Sequence, residues 1–431
     1  MVNRFKELIT AQRYDNYLKR QNNYAKNFIT RLKKNKKQGE SHAQLRNGTE
    51  TGRGSRNDVA ASEVGRVGMA KPKNNRRKNK DAARCLGKIS YLCTMIRKNL
   101  HVAKPFRFEA GGEVPEIDIC DHTSGDYSAE KKVVWICHAL TANSDAEEWW
   151  PDLVGPGATF DTDRYFVCCV NMLGSCYGSS GPSSVNPKTR KPYMLSFPPV
   201  TVRDIINASI LVRRHLGIDK IDLLVGASIG GFQALEWSIM EPKVISQAIF
   251  IATCARMNAW CGATLAAQRM ALEADPTFLA ERSLKGGRTG LKCARAQGLI
   301  TYRTYDSFVL TQSERNEDSI FPERVESYEQ YQGEKLVKRF DAYSYYSVVK
   351  SAESHNVGRF RGGVEKALGS IKAKSMVISI NTDLLFPPKE MEQWAQFIPG
   401  AEYHEITSLY GHDGFLLEWQ QLKELMKPYL P

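Results

Sequence analysis

The chain has 431 residues, 42% of them apolar, and a formal charge of +13. No apolar stretch approaches the roughly 18 residues of a membrane-spanning helix, and the N-terminus lacks the apolar core of a secretory signal. The charge is uneven: residues 1–94 carry 23 Lys and Arg against 7 Asp and Glu, the rest 37 against 40, so the basic character says nothing about the main body's ligand.

Residues 1–94 are polar and poor in apolar periodicity, as in "RLKKNKKQGESHAQLRNGTETGRGSRNDVAASE". Such a composition buries too little surface to offset ordering entropy, so the segment reads as disordered, with a short amphipathic helix admitted near residues 3–19. One reading makes it a tail for RNA or another anionic surface. The other, which we favour, makes it a solvated appendage or a start assigned too early, with Met95 as initiator.

From residue 105 the pattern changes. Strands are expected at "VVWIC" (133–137), "RYFVCCV" (164–170), "IDLLV" (221–225), "SQAIFIA" (246–252), "SMVISI" (375–380) and "AEYHEI" (401–406). Continuous apolar runs of this kind suit strands covered on both faces. Helical patterns between them, such as Val202, Ile205, Ile206 and Ile210, imply an α/β fold with a mostly parallel sheet and helices on both sides. Between the fourth and fifth of these strands the chain has helix-like stretches only, at about 260–365, expected to form a lid over the sheet's carboxyl end. Ten scattered cysteines include no C-x-x-C pair and several sit in apolar runs, which suits free thiols in a reducing cytosol; no metal is expected.

"GASIGGFQALEW" (226–237) places Ser228 between glycines where a strand gives way to a helix. In such an elbow only small residues fit around the serine, and its hydroxyl is held out above the sheet. A serine needs a base to take its proton and a carboxylate to orient that base. In this architecture the chain order is serine, acid, histidine. "INTDLLFPP" puts Asp383 at the carboxyl end of a strand, and "LYGHDGF" puts His412 in a Gly-flanked loop after the last one. The oxyanion formed on attack needs two backbone N–H groups, for which Ile229 and, in "VVWICHALTANSD", Leu140 are the candidates. His138 is expected to pack structurally rather than act as base.

These motifs specify acyl transfer through an acyl-serine and leave the acceptor open. "HALTANSDAEEWWPDLVGPG", "NMLGSCYGSSGPSSVNP", "FPPVTVRDI", "GASIGGFQALEW", "NTDLLFPP" and "GHDGFLLE" together resemble the homoserine O-acetyltransferase family of methionine biosynthesis, over roughly residues 100–431. The resemblance implies an α/β-hydrolase fold with an inserted helical lid, a homodimer formed through that lid, and a cytoplasmic enzyme. It implies ping-pong transfer from acetyl-CoA, or succinyl-CoA in related members, to the hydroxyl of L-homoserine or serine, with no bound cofactor. It also implies that Arg295 grips the substrate carboxylate, that Tyr302 contacts the substrate and that Asp413 receives its ammonium. Departures are Ala227 and Ile229 where glycine and methionine are common, and Asn356 where aspartate is usual. The rival enzyme is an esterase or thioesterase with the same triad, which has no need of an ammonium–carboxylate clamp. A rival of another class is a nucleic-acid binder led by the basic tail.

Overall fold

The computed structural model describes residues 95–431; the basic segment 1–94, with the helix expected near residues 3–19, lies outside the described residues. Eight strands form the main sheet: β1 (Ile96–Val102), β2 (Ile117–Thr123), β3 (Val133–Cys137), β4 (Phe166–Val170), β5 (Ile221–Ala227), β6 (Ile245–Ile251), β7 (Lys374–Ile380) and β8 (Glu402–Ile406). Their spatial order is β1-β2-β4-β3-β5-β6-β7-β8. All pairs from β4 to β8 are parallel, while β2 runs antiparallel to both β1 and β4.

All six expected strands form. β3 and β4 are buried at every position. Their alternate side chains feed two cores: Trp135, Phe166, Leu224 and Phe250 on one face of the sheet, Val134, Val167, Val225 and Ile249 on the other. This two-sided burial is why the runs are continuously apolar.

Among the described residues, the helices of eight residues or more are α1 (Val202–His215), α2 (Ile229–Met240), α3 (Ala259–Glu273), α4 (Arg288–Tyr302), α5 (Tyr305–Gln312), α6 (Glu323–Val337), α7 (Ala342–Glu353), α8 (Pro388–Ala395) and α9 (Trp419–Met426). In "VTVRD" Thr201 caps α1: its hydroxyl accepts from the Asp204 N–H while the Asp204 carboxylate accepts from the Thr201 N–H. Helices α3 to α7 all lie in the connection between β6 and β7. No helix among the described residues is long and apolar enough to cross a membrane.

Candidate active site

Ser228 follows β5 directly and α2 starts at the next residue. Its backbone sits at φ 58°, ψ −126°, a region that costs a side-chain-bearing residue about 1–3 kcal/mol. The flanking glycines are dictated by space. A Cβ on Gly226 would lie 2.0 Å from the Gly230 carbonyl oxygen, and one on Gly230 would lie 2.1 Å from that of Cys137. The turn is held from below by the Ser228 N–H, which donates to the Ile251 carbonyl at 3.0 Å, and by the Thr253 hydroxyl, which donates to the Ser228 carbonyl at 3.0 Å.

Asp383 and His412 reach the same point from the ends of β7 and β8. The His412 Nδ1–H donates to Asp383 Oδ2 at 2.7 Å, and His412 Nε2 lies 2.8 Å from Ser228 Oγ. Asp383 is fixed in turn, because its Oδ1 accepts from the backbone N–H groups of Leu385 at 2.8 Å and Phe386 at 3.2 Å. Burial pushes the His412 pKa down, but the Asp383 carboxylate, by charge and by hydrogen bond, and Asp413 outweigh it and leave the value raised. Such a line of groups can take the serine proton onto Nε2 while the carboxylate stabilises the imidazolium.

The N–H of Ile229 opens α2 and so has no acceptor within the helix. Leu140 lies in the turn after β3. Gln233, buried in α2, ties the two together by donating to the carbonyls of His138 at 3.1 Å and Ile229 at 3.3 Å. His138 is a structural element of that turn: its Nδ1–H donates to the Ala139 carbonyl at 2.9 Å, and its Nε2 accepts from the Met172 N–H at 3.1 Å. Burial pushes its pKa down to about 4, so the ring stays neutral.

The inserted helices supply the outer wall. The Tyr302 ring centroid is 5.9 Å from that of His412, and the Arg295 guanidinium carbon is 5.8 Å from the Tyr302 ring. Burial, opposed by Arg295, pushes the Tyr302 pKa up to about 12, which keeps the phenol protonated. Asp413 is committed to a partner that the sequence did not single out: the Arg303 Nε–H donates to its Oδ2 at 3.3 Å. Arg339, after α6, donates to the Thr141 carbonyl and the Tyr177 hydroxyl, each at 2.5 Å, and so buttresses the turn that holds Leu140. Burial first, then Arg339, Arg295 and Arg303, push the Lys335 ammonium down to about 8. Three guanidiniums thus act on one ammonium in this wall. Asn356 is remote in role: its side chain accepts from the Gly358 N–H at 2.9 Å within its own turn.

Residues 132–418 match the model of the α/β hydrolase fold family. A homoserine O-acetyltransferase of Cyclobacterium marinum is 39% identical over 336 residues, which span 78% of this chain and 95% of that protein. The chain belongs to the homoserine O-acetyltransferase family. Its fold is shared beyond that family. A crystal structure of an esterase superposes with a TM-score of 0.72 at 23% identity, covering 78% of this chain and all of the other. The homoserine O-acetyltransferase of Bacillus anthracis gives the same score at 24% identity, covering 78% of this chain and 97% of its own. Likeness at that level carries the fold alone, so the choice between hydrolysis and transfer rests on the sequence relatives and on the groups lining the site.

Proposed function

We propose that the protein transfers the acetyl group of acetyl-CoA to the hydroxyl of L-homoserine, giving O-acetyl-L-homoserine and CoA, a step of methionine biosynthesis. The observation that carries this reading is the Ser228–His412–Asp383 line in a chain that belongs to the homoserine O-acetyltransferase family.

In the first half-reaction Ser228 Oγ attacks the thioester carbonyl carbon and its proton passes to His412 Nε2. The oxyanion is received by the N–H groups of Ile229 and Leu140, the C–S bond breaks, and the CoA sulfur leaves with the proton. In the second, the homoserine hydroxyl gives its proton to His412 and attacks the acetyl-serine carbonyl. The ester bond to Ser228 breaks, and Ser228 Oγ regains the proton. Arg295 holds the substrate carboxylate by a charge-assisted contact worth about 1.5–3 kcal/mol, while Tyr302 spans the distance between that end and His412. Asp413, carried by the same turn as His412, adds negative charge beside the substrate ammonium. No cofactor is bound in this scheme; acetyl-CoA is a substrate.

We further infer a cytoplasmic homodimer. Eight cysteines among the described residues are free thiols, as suits a reducing compartment. Large apolar side chains are exposed on α4 and at the start of α5, at Ile300 and Tyr305, and just before α6, at Ile320 and Phe321, as suits an interface between copies.

The test is to supply purified protein with homoserine or serine, each with acetyl-CoA or succinyl-CoA, and follow free thiol and O-acyl product. Acetyl-CoA with homoserine is expected to give equal amounts of both. Thiol release with no acceptor product would identify a hydrolase instead.

A further inference from the structure

The turn that carries Leu140 is a line of peptide groups held from the inserted helices. The Ala142 N–H donates to the Ala139 carbonyl at 3.0 Å, which makes Leu140 and Thr141 the two central residues of a β-turn. The Ala139 carbonyl also accepts from His138 Nδ1–H at 2.9 Å. A trans peptide sets its N–H opposite its C=O, so pinning that carbonyl aims the Leu140 N–H the other way. The peptide group between Thr141 and Ala142 is held at both ends. Its N–H makes the turn bond, and its carbonyl accepts from Arg339 Nη1–H at 2.5 Å. One line of donors and acceptors therefore runs from the Arg339 guanidinium through two peptide groups to the Leu140 N–H.

Arg339 belongs to the inserted segment, between α6 and α7. Three further contacts fasten it to the loop after β4. Its Nη1–H also donates to the Tyr177 hydroxyl at 2.5 Å, and its backbone carbonyl accepts from the Cys176 thiol at 3.6 Å. The next residue, Phe340, meets the Tyr177 ring edge-on with 5.4 Å between centroids. The groups that receive the guanidinium's N–H bonds are a carbonyl, a phenol and the Thr141 hydroxyl, all uncharged. Burial, opposed by Arg339, pushes the Tyr177 pKa up to about 12, so the phenol keeps its proton. A charge at one end of a hydrogen-bonded line polarises every member of it. We propose that Arg339 is a positioning residue for the oxyanion: through the two peptide groups it aims the Leu140 N–H and strengthens it as a donor. The oxyanion site is then complete only while the inserted segment is seated on the β3 turn. This inference rests on the acyl-serine reading and deepens it.

The test compares wild type with Arg339→Ala and Arg339→Lys in single-turnover acylation. The donors are acetyl-CoA and S-acetyl-N-acetylcysteamine, the thioester end of acetyl-CoA without its phosphates. Outright loss of one oxyanion donor costs about 100- to 1,000-fold in rate, and weakening a donor costs less. Arg339→Ala should therefore acylate about 10- to 100-fold more slowly with both thioesters at saturation, while their half-saturating concentrations change little. Transfer from the acetylated enzyme to homoserine should slow by a like factor, because deacylation passes through the same oxyanion. Arg339→Lys, which keeps the charge, should recover part of the rate, and so should free guanidinium added to Arg339→Ala well below denaturing concentrations. A loss confined to acetyl-CoA and carried by its half-saturating concentration would make Arg339 a contact for the CoA phosphates and overturn the proposal. So would acylation at the wild-type rate in Arg339→Ala, or a loss as deep in Arg339→Lys that guanidinium does not ease. Wild-type protein that forms no acyl-enzyme with either thioester would instead refute the acyl-serine reading, and this inference with it.

Discussion

An imidazole taken out of water is driven towards its neutral form, yet His412 ends with a raised pKa because Asp383 is 2.7 Å away and Asp413 adds its charge. The base must be neutral to take the serine proton, so acylation is lost as pH falls through that value. The rate of acyl-enzyme formation should rise with pH and level off with an inflection above 6.5, the ordinary value for imidazole. In Asp383→Asn the carboxylate is gone and burial is opposed by Asp413 alone, so the inflection should move down while the plateau drops by orders of magnitude. Stopped-flow thiol release across pH checks both, and a wild-type inflection below 6.5 would contradict the balance of burial and charge described. The triad was legible residue by residue because each member carries a local signature: a serine between glycines after a strand, an aspartate at a strand end, a histidine between glycine and aspartate. Arg303 was not. The meaning of Arg303 comes from Asp413, 110 residues away.

Elements were legible in proportion to their burial. β3 to β7 read as apolar runs because the sheet is covered on both faces there. β1 and β2 escaped notice for opposite reasons. β1 is an edge strand in which "IRKNLHV" exposes most of its side chains. β2 is buried but interrupted by Asp118, Asp121 and His122. Asp121 lies within the sheet with Oδ2 unpartnered among the described residues, and burial, eased by Lys98, pushes its pKa up to about 6. A pattern rule reads such a carboxylate as surface. The elbow between β5 and α2 is the reverse case, since its glycines are demanded by contacts that the motif anticipates. Gly230→Ala would drive a methyl to 2.1 Å from the Cys137 carbonyl oxygen, and backbone on both sides leaves no flexible group to yield. The variant should lose about 3 kcal/mol or more in urea unfolding and most of its acylation rate. Wild-type stability in this variant would mean that the turn and the β3 loop are not in contact.

At the scale of the molecule, the sheet carries the triad and the β6–β7 connection carries Arg295 and Tyr302, the groups proposed to read the acceptor. The sequence showed this division as a long interval without a strand. It could not show which helix faces point inward, because α5 is apolar on residues that the fold leaves exposed. Ile300 and Tyr305 are 60% and 81% exposed at the α4–α5 corner. If this surface joins two copies, Ile300→Asp with Tyr305→Asp should halve the mass seen by light scattering while the acylation burst persists. An unchanged mass would place the interface elsewhere or show that the protein is a monomer. The central claim is acyl transfer through Ser228, and intact-protein and peptide mass spectrometry after mixing with acetyl-CoA alone tests it most directly. One acetyl group should appear on the peptide containing Ser228, vanish on addition of homoserine as O-acetylhomoserine forms, and be absent in Ser228→Ala. Burial pushes the thiols of Cys176 and Cys261 up to about 12 and leaves them protonated. An adduct on either cysteine, or turnover in Ser228→Ala, would contradict the account.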